Sequence, residues 1–124
     1  MGFAYNRKEA KDHGEGGSMV GASLKDKRVL IIDDVITAGT AIREAHALVK
    51  AQGGKVCGIV EALDRQECIV GATESAVQSV ERELQVRVVS VVRMVDIIAF
   101  LEARQGTKDQ VAAMEDYRKQ YGVA

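Results

Sequence analysis

The chain has 124 residues, 47% of them hydrophobic and 28% charged, which suits one folded domain and leaves no room for two. Lys and Arg number 17 against 18 Asp and Glu, and that net charge of −1 argues against a general nucleic-acid or anionic-membrane binder. No apolar run reaches the roughly 18 residues of a bilayer span, the first residues lack a signal-like apolar segment, and Cys57 and Cys68 form neither a CxxC pair nor a disulfide framework, so a reducing cytoplasmic setting is expected.

Phe3-Ala4-Tyr5 reads as a short strand. Gly14, Gly16, Gly17 and Gly21, with Ser18, mark Lys8 to Gly21 as a mobile loop. Arg28-Val29-Leu30-Ile31-Ile32-Asp33 is a continuous β-branched run of the kind covered on both faces in a parallel sheet. After Gly39, residues Ile42, Ala45, Leu48 and Val49 recur at helical spacing until Gly53-Gly54 stops the helix. Val56 to Leu63 reads as a second buried strand, with Cys57 as an inert core thiol. Thr73 to Leu84 has a helical stripe at Ala76, Val77, Val80 and Leu84, with Thr73 as its expected N-cap. Val86 to Val92 is a third strand, and helices follow around Ile97 to Glu102 and from Asp109 to Tyr121. His46 is expected to be structural, and Arg93 and Asp96 to cap or pair. The order β-α-β-α-β-α-α predicts an α/β fold with a parallel sheet and right-handed crossovers. Ligands are then expected at the carboxyl ends of the strands, after Ile32, Leu63 and Val92.

The most informative stretch is Asp33-Asp34-Val35-Ile36-Thr37-Ala38-Gly39-Thr40-Ala41. Small residues let backbone N–H groups approach an anion, and a helix N-terminus adds free donors and partial positive charge. Thr37 and Thr40 add hydroxyls, so a phosphate monoester fits this cup. The two carboxylates repel that phosphate but suit the hydroxyls of a sugar bearing it, or a nearby Mg²⁺. The whole describes a phosphorylated-sugar site. Two other readings of the acids stand beside it. They can simply cap a turn, which leaves the small-residue cup unexplained. They can belong to a receiver-type signalling domain, which needs an acceptor Asp at the end of a later strand and a Lys beyond it; Asp64 ends the very next strand, and no Lys occurs between Lys55 and Lys108.

The earlier glycine-rich loop carries Arg7, Lys8, Lys11 and His13 within seven positions. A cationic loop of this kind can close over a polyphosphate and exclude water. Arg7 and Lys8 can hold phosphate oxygens, while Lys11 and His13 can neutralise charge on a leaving group. The alternative is a solvated charge run.

Asn6-Arg7-Lys8-Glu9-Ala10-Lys11-Asp12-His13-Gly14-Glu15-Gly16-Gly17, the loop from Asp33 to Ala41 and Leu63-Asp64-Arg65-Gln66-Glu67 together resemble the orotate phosphoribosyltransferases, which are type I phosphoribosyltransferases. The resemblance runs from about Phe3 to the C-terminus. It implies a parallel-sheet, Rossmann-like phosphoribosyltransferase core, truncated at its N-terminus. Residues 1–124 would be the C-terminal portion of one such domain, with 1–21 as the mobile catalytic loop region and 28–41 as the strand and loop that bind 5-phosphoribosyl-1-diphosphate (PRPP). The family transfers ribose 5-phosphate from PRPP to orotate, giving orotidine 5′-monophosphate and pyrophosphate in pyrimidine biosynthesis. Carried over, the resemblance makes Lys11, His13, Asp33 and Asp34 catalytic. PRPP would be bound by Arg7, Lys8, Lys11, His13, Asp33, Asp34, Val35, Ile36, Thr37, Ala38, Gly39, Thr40 and Ala41. Thr37 and Arg65 would contact orotate. It further implies Mg²⁺ held through PRPP rather than by protein ligands, and a cytoplasmic homodimer sharing the mobile loop across its interface, with no nucleic-acid or membrane partner. This chain alone is expected to be inactive or weakly active. A non-catalytic PRPP-binding regulatory module is the alternative.

Overall fold

The computed structural model describes residues 1–7 and 19–123. Strands β1 (Ala4–Asn6) and β2 (Met19–Gly21) pair antiparallel as a small sheet of their own. The end of the expected loop is therefore strand, because Met19, Val20 and Gly21 find partners in Asn6, Tyr5 and Ala4.

The main sheet is β3 (Arg28–Asp33), β4 (Lys55–Asp64) and β5 (Val88–Arg93), all parallel and in the order β3-β4-β5. Helix α1 (Thr40–Ala51) connects the first pair and α2 (Ala76–Leu84) the second; α3 (Met94–Glu102) and α4 (Lys108–Tyr121) pack on one another afterwards. The expected α/β fold with a parallel sheet is what forms.

Both crossover helices contribute to one core. Ile31 and Ile59 of the sheet pack with Ile42 of α1, with Ala76 and Val80 of α2, and with Ile36 from the loop after β3. The opposite face differs from the expectation of burial on both sides. Leu30 and Ile32 are 51% and 72% exposed, and Val89 and Val91 are 51% and 73% exposed. The reason is topological. Strands added always in one direction by right-handed crossovers place every crossover helix on the same face. Among the described residues the order never reverses, so the second face keeps its apolar side chains without a helix above them.

Three further differences have local causes. Cys57 is exposed rather than a core thiol. In the β3–β4 register Val29 pairs with Val56 and Leu30 with Gly58, so Cys57 is the extra residue of a bulge. Helix α2 begins at Ala76, and its N-cap is Ser75 rather than Thr73. The Gln78 N–H donates to Ser75 Oγ at 3.2 Å and the Ser75 N–H to Gln78 Oε1 at 2.8 Å, a closed capping box. The preceding residues are already engaged: the Ile69 N–H donates to the Glu74 carbonyl, and Cys68 bridges to Ser75. Finally, β5 starts two residues later than the apolar run, at Val88. Arg93 and Asp96 behave as expected. Asp96 accepts the Arg93 N–H at 2.9 Å and pairs with its guanidinium, capping α3.

Candidate active site

The site is built at the carboxyl end of β3. Asp33 is half-buried there, and Asp34 is exposed. The chain is turned out of the sheet by bonds on both sides of Asp34. Its carbonyl accepts the N–H groups of Ala62 and Leu63 at 2.9 and 3.0 Å, which locks it to β4. Its carboxylate accepts the Val35 N–H at 2.7 Å, and Asp33 Oδ1 accepts the Asp34 N–H at 2.9 Å. The two acids are thereby split electrostatically. Burial pushes the Asp33 carboxyl above its ordinary value, and the negative Asp34 beside it adds to the rise. Asp34 is held below its ordinary value, first by the Val35 N–H and then by its hydrogen bond with Asp33. Asp34 keeps its charge the more firmly of the two.

The loop from Val35 to Gly39 then curls into α1. Ile36 is buried in the core beneath it and anchors it. Gly39 is the N-cap residue, with φ of 79°, and no side chain caps this helix. The first-turn N–H groups of α1 therefore have no side-chain cap and no acid in that turn, with Thr37 and Thr40 beside them in the chain. The loop and helix start thus lie where the sequence placed the candidate anion cup.

Two residues outside the expected set hold the cup in shape. Arg43 reaches back from α1, donating to the Ala38 carbonyl at 2.8 Å and to Ser79 Oγ at 3.1 Å, and it pairs with Glu83 of α2 at 2.6 Å. Glu61 of β4 is fully buried and accepts the Ile36 N–H at 3.1 Å. The signal for Glu61 was present in the sequence. It is a single acid inside Ile59-Val60-Glu61-Ala62-Leu63, where a charge is costly unless it has work for its oxygens. Arg43 had no such signal, since an Arg in the first turns of an exposed helix is commonplace.

The second wall follows β4. Gln66 adopts a left-handed φ of 54°, held by its N–H donating to Asp64 Oδ1 at 2.7 Å. The C-terminal residues strap this loop down: the Cys68 N–H donates to the Tyr121 carbonyl at 2.7 Å, and the Val123 N–H to the Gln66 carbonyl at 2.9 Å. Arg65 is fixed by Glu67 at 2.7 Å and by the Tyr117 hydroxyl at 3.2 Å. Thr37 of the cup and Arg65 of this wall line one cleft, together with Ile36, Asp64 and Gln66. Tyr117 of α4, 52 residues beyond Arg65 in the chain, was missed because only the tertiary fold brings it there.

The expected residues Asp33, Asp34, Val35, Ile36, Thr37, Ala38, Gly39, Thr40, Ala41 and Arg65 thus share one end of the sheet. Arg7 is exposed just beyond β1 of the separate two-stranded sheet. Lys8, Lys11 and His13 lie outside the described residues. No helix among the described residues is long and apolar enough to cross a membrane.

A one-sided parallel α/β sheet, with paired acids and an uncapped helix N-terminus after β3, defines the chain as an α/β domain with a candidate anion-binding loop. The family model of the phosphoribosyl transferase domain matches residues 1–99, and the chain belongs to that family. It is 50% identical over 121 residues to an orotate phosphoribosyltransferase from Yersinia enterocolitica, covering 98% of this chain and 56% of the relative. It is 53% identical over 119 residues to one from Yarrowia lipolytica, covering 96% and 54%. The crystal structure of orotate phosphoribosyltransferase from Francisella tularensis superposes with a TM-score of 0.82 at 32% identity, covering 98% of this chain and 56% of that one. The chain thus spans about half the length of the relatives it matches.

Proposed function

We propose that this chain carries the PRPP site and part of the orotate site of an orotate phosphoribosyltransferase. The observation that supports this most is the shared cleft of Thr37 and Arg65, which sets a cation-bearing wall against the phosphosugar cup. Asp33 and Asp34 accept the ribose hydroxyls, the N–H groups from Thr37 to Ala41 take the 5-phosphate while those of Val35 and Ile36 are held by Asp34 and Glu61, and the Arg65 guanidinium faces the anionic edge of orotate. Bond breaking at the anomeric carbon leaves positive charge on the sugar and negative charge on the departing diphosphate. The carboxylates favour the first, and the cations Arg7, Lys8, Lys11 and His13 of the basic loop favour the second. Orotate then takes the ribosyl group, with no covalent bond to the protein. Mg²⁺ bound through the diphosphate would offset part of its negative charge, with Asp33 and Asp34 left to the ribose hydroxyls. The complete enzyme is a cytoplasmic homodimer of pyrimidine biosynthesis.

Calorimetry with orotate and PRPP in separate titrations tests the reading on the chain itself. Orotate binding is expected to fall by about tenfold to a hundredfold in Arg65→Ala, the loss of one charge-assisted contact. Tyr117→Phe, which removes one of the two groups fixing Arg65, is expected to have a smaller effect in the same direction. PRPP binding without any orotate binding would instead identify a regulatory PRPP-binding module.

A further inference from the structure

We infer that Glu61 is a positioning residue for the phosphate-binding loop, its buried carboxylate fixing the Ile36 N–H so that the neighbouring N–H groups point into the cup. The inference rests on the reading of that loop as the phosphosugar site. Glu61 is 0% exposed, yet it sits at the edge of the site because of its register. Asp33, Glu61 and Ser90 lie in one row across β3, β4 and β5. Oε2 accepts the Ile36 N–H at 3.1 Å, and Oε1 accepts the Ser90 hydroxyl at 2.8 Å. The side chain therefore links the loop to the far strand of the sheet through two bonds.

An acid is costly in this place. Burial pushes its carboxyl above the ordinary value, and the charges of Asp64 and Asp33 push the same way, while Ser90 and the Ile36 N–H oppose them. An apolar side chain in the row would avoid that cost but would leave the Ile36 N–H buried and unpaired. The loop then has a reason to shift, because Ile36 is its one residue in the buried core cluster. Glu61 touches no substrate in this arrangement; it acts through Ile36.

Two variants separate the role from simple core filling. Glu61→Leu fills the volume without an acceptor, and Glu61→Gln keeps an acceptor for Ile36. Calorimetry with PRPP is expected to show affinity about tenfold weaker in Glu61→Leu, the loss of roughly one hydrogen bond's worth of order, and restored to within about twofold in Glu61→Gln. Amide hydrogen exchange at Ile36 reads the tether without any ligand: it is expected to speed up in Glu61→Leu and to return in Glu61→Gln. Unchanged Ile36 exchange in Glu61→Leu, or equal PRPP affinity in all three proteins, overturns the inference. Should Glu61→Leu fail to fold, the Ile36 amide resonance decides. In the wild type it is expected to sense a titration above the ordinary carboxyl range, because burial raises Glu61, and to lose that step in Glu61→Gln. The same titration step in both proteins overturns the assignment. Failure of the wild-type chain to bind PRPP counts against the functional reading alone, since the exchange at Ile36 still decides the tether.

Discussion

Gly39→Ala is expected to abolish PRPP binding and to lower stability by about 3 kcal/mol, the sum of left-handed backbone strain and overpacking. Gly39 has φ of 79°, where an L side chain is strained whatever the space around it. The space is also taken. A Cβ at this position would lie 2.7 Å from the Val80 Cγ2 atom and 2.7 Å from a terminal nitrogen of Arg43. Arg43 can swing away, but it would then release the Ala38 carbonyl that it holds at 2.8 Å. Val80 is fully buried in α2 and cannot retreat without opening the core. Relief of the clash therefore moves either the loop or the helix behind it, and both define the cup. Urea unfolding measures the stability loss, and calorimetry the binding loss. An alanine variant that keeps both would mean that the loop is more plastic than this packing allows.

Ile59→Ala is expected to cost about 2–5 kcal/mol, a large share of the typical stability of a domain this size. Ile59 is fully buried at the centre of β4 and packs in the cluster that also contains Ile36 of the cup. Removing its methyls leaves a cavity that α1, α2 and the two flanking strands can fill only partly. The informative control is Ile32→Ala in the neighbouring strand. Ile32 belongs to the apolar run of β3, but it is on the open face, and its truncation in this chain is expected to stay within about 0.5 kcal/mol, as for ordinary surface positions. Equal losses at the two positions in urea unfolding would show that the open face is covered in solution, for instance by self-association.

Much of this was legible from residue types. Arg28 to Asp33 needs only its β-branched continuity to read as a strand, and the change of period after Gly39 is enough for α1. The loop after β3 stands out as a candidate site because its chemistry is local: acids, small residues and a helix start lie within nine positions. What sequence could not give was which faces meet. The strand β3 looked buried on both sides because Leu30 and Ile32 are as apolar as Ile31, and only the one-way strand order leaves them exposed. Cys57 looked like core until the bulge removed it from the register. Thr73 and Ser75 are both acceptable N-caps, and the choice fell to Ser75 because Gln78 closes its box. Arg43, Glu61 and Tyr117 act through partners 5, 25 and 52 residues away; the lone acid in an apolar strand marked Glu61 but not its partner, and Arg43 and Tyr117 carried no signal.

Titration of the chain with PRPP in the presence of Mg²⁺ tests most directly whether residues 33–41 form a site for a phosphorylated sugar. The expected result is one saturable site in the wild type, weakened by about a hundredfold or more when Asp33→Asn and Asp34→Asn are combined, since two charge-assisted contacts to the ribose hydroxyls are lost. A wild-type chain that shows no PRPP binding, or a double variant that binds PRPP as well as the wild type, would contradict that assignment.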